Sequence, residues 1–177
     1  MSHAMHLASR SRPAPGFTLI EIMVVMVLIG IITSFAVLSV GGGPRDRLAE
    51  EARRLAALVE LHQQEAILSG ELRSIRFTRT GYAVLNQNER GEWQPPTADA
   101  LLIRHELPND LTLGLWVENR PVDLSAPAWP QVLLQNSGEA TEFVAVFSQA
   151  DDRTSDAPRY RVAGDALGRL TVSEVKR

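Results

Sequence analysis

One run without charge constrains this chain more than any other feature. From Ile22 to Pro44 there is no Asp, Glu, Lys or Arg. Its centre, residues 22–40, reads IMVVMVLIGIITSFAVLSV. At about 1.5 Å per residue such a helix is about 28 Å long, close to the hydrocarbon thickness of a bilayer. The polar side chains inside it, Thr33, Ser34 and Ser39, can bond back to helix carbonyls. A helix apolar on every side has to be enclosed, and at this length the enclosure expected is lipid.

The flanks suggest an orientation. Residues 1–16 (MSHAMHLASRSRPAPG) carry Arg10 and Arg12 and no acid, whereas Arg45-Asp46-Arg47 follow the run with a smaller excess of basic charge. The positive-inside rule then predicts residues 1–16 in the cytoplasm and the C-terminal part across the membrane, in a bacterium the periplasmic side. The run is too long for an ordinary secretory h-region, and Gly41-Gly42-Gly43-Pro44 lacks the small-residue cleavage pattern. Glu21 stands at the edge of the run, just inside it if the helix starts at Phe17. A carboxylate within lipid costs about 2.5–3.5 kcal/mol on insertion scales, so Glu21 needs either a partner or access to the headgroup layer.

The sequence Gly16-Phe17-Thr18-Leu19-Ile20-Glu21, with its basic leader and apolar helix, resembles the type IV prepilin signal. Type IV pilins and type II secretion pseudopilins share this signal. The resemblance implies cleavage after Gly16 by a membrane prepilin peptidase and N-methylation of the new terminus at Phe17. It also implies that Glu21 pairs with the N-terminal ammonium of a neighbouring subunit during assembly. Such a pair offsets the desolvation of two groups that find no water inside a packed bundle of helices. It also sets axial register, since a slip leaves the carboxylate unpaired.

Beyond the run, Gly41-Gly42-Gly43-Pro44 reads either as a flexible joint or as a plain helix end with Pro44 opening a second helix. No GK[ST] follows, so it is not a phosphate loop. Residues 45–69 show helical periodicity, with Leu48, Ala52, Leu55, Val59, His62 and Ala66 on one face and Leu58 and Ile67 widening it. Glu50, Glu51, Arg53 and Arg54 are spaced for surface ion pairs. His62 falls on the apolar face and is expected to be a packed histidine.

From residue 71 the period changes to that of strands. Residues 74–78 and 82–85 flank Thr80-Gly81 as a hairpin, and further strands are expected at 100–106, 111–117, 131–135 and 142–147. A closing hairpin pairs 160–162 with 169–172 around Gly164-Asp165 and Gly168. The fold class expected is α+β. A long N-terminal helix, its first half transmembrane and its second half amphipathic, packs on an antiparallel sheet or β-sandwich-like head. The corresponding segments are a cleaved leader at 1–16, a membrane and assembly helix at 17–40, a hinge and amphipathic helix at 41–70, and a β-rich periplasmic head at 71–177.

Three polar connections interrupt the head, at 86–99, 119–130 and 148–158. Trp93 and Trp129 lie in two of them, each near proline. They read as partner contacts, because tryptophan is enriched at interface hot spots, or as lids over the head's own core. Trp116, within a strand, is expected in the core. Asp151, Asp152 and Asp156 lack the spacing of a calcium loop and read as a solvated surface.

The chemistry that remains is narrow. There is no cysteine, which excludes disulfides, zinc–thiolate sites and cysteine nucleophiles, and there are four histidines, at 3, 6, 62 and 105. No G-x-S-x-G, HExxH or paired-carboxylate arrangement occurs. The expectation is a protein without catalytic activity, cofactor or metal. The net charge of −3 grows more acidic without Arg10 and Arg12, so no nucleic-acid partner is expected.

The head length, its strand content and the ending RYRVAGDALGRLTVSEV resemble the GspH/FimT-type head, and within that group the H-type minor pseudopilins of type II secretion. The resemblance implies assembly with other minor and major pseudopilins at or near the tip of a periplasmic pseudopilus, on an inner-membrane platform powered by a separate ATPase. That filament supports export of folded exoproteins across the outer membrane. The branch without cysteine favours a pseudopilin over a type IV pilus minor pilin for motility or DNA uptake, which remains the alternative. A periplasmic enzyme on an uncut signal anchor is the third reading.

Overall fold

The computed structural model describes residues 19–39, 43–97, 103–127, 129–151 and 157–175, with side chains in the first helix described as far as Ile32. Gly16 and Phe17 therefore lie outside the described residues, as do Gly41, Gly42, Asp152 and Asp156. The chain divides into two units within the glycine run, Met1–Gly41 and Gly42–Arg177.

The first unit contains helix α1, Leu19–Ser39, with Glu21 in its first turn and no basic residue in its last. Its described side chains are exposed all round, Leu19, Ile20, Met23, Met26 and Ile32 each by 60% or more. Among the described residues no helix is long and apolar enough to cross a membrane. The stretch of α1 with described side chains, 19–32, is shorter than the roughly 20 residues a bilayer requires.

The second unit opens with helix α2, Pro44–Ser69. Gly43 is its N-cap and Pro44 its first residue, where a missing N–H is harmless. Gly70 ends it in the left-handed region (φ 74°), and its N–H returns to the Ala66 carbonyl at 3.0 Å. The stripe read from the sequence is the buried one: Leu48, Ala52, Leu55, Leu58, Val59, His62 and Ala66 all face inward. Two residues depart from it. Ile67 remains half exposed. Glu51, spaced for surface ion pairs, is instead buried, because a strand of the head passes over that turn of the helix and supplies a histidine partner.

Ten strands follow among the described residues: β1 Arg73–Thr78, β2 Gly81–Gln87, β3 Trp93–Gln94, β4 Arg104–Glu106, β5 Leu111–Val117, β6 Arg120–Val122, β7 Val132–Leu134, β8 Phe143–Gln149, β9 Tyr160–Gly164 and β10 Leu170–Glu174. They form two antiparallel sheets. In one the order is β3-β2-β1-β7, with β4 also on β2; in the other it is β10-β9-β8-β5-β6. The short β3 and β6 lie in segments that the sequence reads as loops, since strands of two or three residues leave no periodic signature. The strand expected at 100–106 is described as 104–106, residues 100–102 lying outside the described residues.

Alternation decides what each strand buries. Ile75 and Phe77 of β1, Tyr82 and Val84 of β2, Leu111, Leu113 and Leu115 of β5, and Phe143, Ala145 and Phe147 of β8 join the α2 stripe in one core. Phe77 is at the centre of its aromatic part, with ring centroids 6.1 Å from Phe143 and 6.2 Å from Tyr82. Each fully buried Val, Leu, Ile or Phe among them contributes about 1.5–3 kcal/mol relative to exposure. The same alternation corrects the expectation for Trp116. With Leu113 and Leu115 turned inward, Trp116 points out of the sheet and is 38% exposed, its ring lying beside Gly114.

Candidate functional site

The residues with functional expectations fall in two places. Gly16 and Phe17 lie outside the described residues, whereas Glu21 is seen in the first turn of α1. A carboxylate there sits near the positive end of the helix dipole. The other described side chains of that helix, as far as Ile32, are apolar, with Gly30 among them, a surface that can pack against lipid or against other apolar helices.

The second place is the outer face of the first sheet. In β1, alternation turns Ile75 and Phe77 into the core, so Arg76 between them faces out and is exposed. Leu85, opposite Ser74 in the β1–β2 register, shares that face. It is nevertheless only 5% exposed. Trp93 and Pro95, from the segment after β2, and Trp129 and Pro130, from the approach to β7, enclose a groove above it of about 550 Å³. Arg76, Asn88 and Glu92 add polar groups. Trp129 is 73% exposed and Trp93 half-buried. The two tryptophans singled out from the sequence thus share one groove, although 36 positions separate them in the chain. Arg76 and Leu85 were not singled out. The alternation of β1 and β2 carries their orientation, but only strand pairing brings the two tryptophans to the same face.

Two further polar clusters tie α2 to the sheets. Arg73, buried, donates through Nη1 to Nδ1 of His62 at 2.7 Å and to the Glu65 carboxylate. Arginine only donates, so His62 Nδ1 accepts. His62 is therefore packed as expected, 1% exposed, and its ring serves the fold. Elsewhere Glu51 on α2 meets Nε2 of His105 on β4 at 2.6 Å. The Tyr82 ring lies 5.4 Å from that of His105, with its hydroxyl buried and without a hydrogen-bond partner among the described residues. Burial, aided by the Glu51 carboxylate, raises the Tyr82 pKa well above the ordinary phenolic value.

The closing hairpin is built around Asp165. Its Oδ1 accepts from the N–H groups of Leu167 and Arg169, and its Oδ2 takes the Arg169 guanidinium. The Arg169 backbone N–H, foremost, holds the Asp165 carboxyl below the usual carboxylate range. Asp151 is exposed, and no group of three or more potential metal ligands occurs among the described residues. These polar clusters stabilise packing and turns; none presents a nucleophile and base aimed at an open cleft.

Comparison with known proteins agrees in kind. A family model described as the prokaryotic N-terminal methylation motif matches residues 12–37, a range that includes Gly16, Phe17 and Glu21. Type II secretion system protein H of Pseudomonas aeruginosa is 35% identical over 144 residues, covering 75% of this chain and 81% of that protein. Type II secretion system protein H of Aeromonas hydrophila is 30% identical over 171 residues, covering 88% and 91%. Among solved structures, the minor pseudopilin EpsH of the Vibrio cholerae type II secretion system superposes with a TM-score of 0.64 at 21% identity, over 76% of this chain and 99% of that one. With a helix and paired sheets in common with that fold, sequence similarity along most of the chain places this protein in the family of type II secretion system protein H.

Proposed function

We propose that this chain is a tip-proximal subunit of a periplasmic pseudopilus, assembling with other minor and major pseudopilins to support export of folded exoproteins across the outer membrane. The observation that carries the reading is the similarity to protein H of Pseudomonas aeruginosa over 81% of that protein's length, which extends well beyond the N-terminal motif into the head. In this reading residues 1–16 are a cytoplasmic leader, removed by a prepilin peptidase between Gly16 and Phe17, and Phe17 is then N-methylated. Residues 17–40 hold the subunit in the inner membrane until the platform extracts it. The exposed apolar side chains of α1, described as far as Ile32, support this, because the same surface fits lipid before assembly and neighbouring helices after it. The head stands in the periplasm, and residues 41–44 join it to the membrane helix.

Glu21 has two environments in this scheme. Near the headgroup layer it reaches water. Inside the filament its partner is the methylated ammonium of a neighbour, and the pair is formed where desolvation makes an unpaired charge costly.

A clean deletion, scored for secreted hydrolase activity in the medium and for twitching motility on agar, tests the function. Lost secretion with normal twitching is the expected result. Lost twitching with normal secretion makes the chain a type IV pilus subunit. Mass analysis of the membrane-bound protein tests the processing: a chain beginning at methylated Phe17 is expected, and one beginning at Met1 overturns it.

A further inference from the structure

The groove on the outer face of the first sheet has the construction of a preformed recognition site. The backbone segments that carry its two indoles are anchored by independent devices. On one side Asn88 organises the turn that leads to β3: its Oδ1 accepts from the N–H groups of Arg90 and Glu92, each at 2.9 Å, and its own N–H reaches the Glu92 carbonyl at 3.0 Å. Trp93 follows directly. On the other side the residue after Pro130 is clamped to β1. The Gln131 N–H donates to the Ile75 carbonyl at 3.1 Å, and its side-chain Oε1 accepts from the Phe77 N–H at 2.8 Å. Pro95 and Pro130 stiffen both approaches. The backbone that carries the walls is ordered before a ligand arrives, which lowers the entropic cost of binding.

The charges around the groove are selective. Glu92 is engaged by the Asn88 side-chain amide at 3.1 Å. Arg76 is exposed and forms no ion pair among the described residues. One free guanidinium beside two indoles and a buried leucine asks for a ligand with one carboxylate and an apolar side chain. A polyanion is disfavoured, because Glu92 stands on the same rim and Arg76 is the only cation lining the groove among the described residues. Dimensions point the same way. From β3 to β7 there are three inter-strand spacings, about 14 Å, which an extended peptide crosses in roughly four residues.

We propose that the groove between Trp93 and Trp129 binds a short extended segment of another protein, which inserts an aliphatic or proline side chain between the indoles and sets an Asp or Glu carboxylate on Arg76. The inference stands on this geometry and is separate from the secretion function proposed above.

The test uses the full-length chain in its own cells, with the photoreactive residue benzoylphenylalanine placed at position 93, at 129 or, as a control on the other sheet, at 116. Crosslinked peptides are identified by mass spectrometry. Positions 93 and 129 are expected to capture the same segment of one other protein, with an acidic residue within it, and position 116 is expected not to capture that segment. Arg76→Glu is expected to lower capture at both positions about tenfold, as for a charge central to a contact. Substituting lysine for the acidic residue of the partner should restore it. An unchanged melting temperature of the Arg76→Glu chain confirms that folding is not the cause of the loss. The proposal is overturned if the two positions capture different proteins, a second copy of this chain, lipid or nothing, or if Arg76→Glu leaves capture unchanged. Cells that still secrete while the groove captures nothing leave the secretion reading standing and remove this one.

Discussion

Gln63 and Gly168 fit against each other with no room for a methyl group: a Cβ at position 168 would lie 1.6 Å from the Gln63 Nε2 atom. Gln63 cannot simply swing away, because that same nitrogen donates to the Gly138 carbonyl at 2.8 Å. One side chain of α2 is thus seated against two turns, the one after β7 and the one between β9 and β10.

Gly168→Ala is therefore expected to destabilise the head by about 1–3 kcal/mol. The new methyl displaces Gln63 from Gly138, and a φ of +74° disfavours any side chain. Thermal unfolding of the soluble head, Gly43 onward, measures it. Gln63→Ala should lose the bond to Gly138 but make Gly168→Ala less costly, and a double-mutant cycle reads that coupling.

Tyr82→Phe is expected to be neutral or to stabilise by up to about 1 kcal/mol, since it removes a buried hydroxyl without a partner. It should also alter the alkaline limit. A phenol whose folded pKa is raised above its ordinary value of 10.0 contributes stability that is fully present below that value and is lost as pH rises through and beyond it. The wild-type head should lose stability above about pH 10, and Tyr82→Phe should lessen that slope. Chemical denaturation at pH 8 and pH 11 compares the two.

Glu65→Gln weakens the charge facing the buried Arg73 guanidinium, whose Nε is already without a partner. Glu65 itself is 42% exposed, so water compensates in part and the loss expected is about 1 kcal/mol. Arg73→Leu removes the buried cation altogether and, with His62 Nδ1 then losing a donor, is expected to cost about 1–3 kcal/mol. Urea midpoints distinguish the two variants.

Asp165→Ala should loosen the closing hairpin, as two backbone N–H groups and the Arg169 side chain lose their acceptor. The depressed pKa sets the sign. This carboxylate contributes stability above its unfolded value, near 3.8, and that contribution fades as pH falls below it. Wild type and variant should therefore differ at pH 7 and converge near pH 2, as amide exchange across β9 and β10 would record.

Glu21→Ala is expected to leave cleavage after Gly16 intact while reducing entry into assemblies, because in the function proposed above the peptidase reads the junction and the carboxylate pairs between subunits. Immunoblots for processed length and for sheared filaments separate the steps; equal filament content in variant and wild type would refute the role given to Glu21.

Much of this molecule is legible in residue order because its signals are local. The uncharged run and the stripe of α2 follow from spacing, and the main hairpins follow from period-two alternation around Gly81 and Gly168, whereas Pro44 is open in sequence between a joint and a helix start and is the latter in the structure. Residue type alone puts Trp116 in the core, but its place in the alternation overrides type: inward Leu113 and Leu115 put it outside. Other features depend on chain segments far apart. Glu51 is buried because β4 carries His105 over it from 54 positions away, and Trp93 and Trp129 share a groove because β1 and β2 lie between β3 and β7 in the sheet. Neighbours in sequence determine periodicity and caps. Which distant side chains meet is decided by strand order and by the packing of α2, where burial favours one arrangement of the whole head and no short segment contains that information.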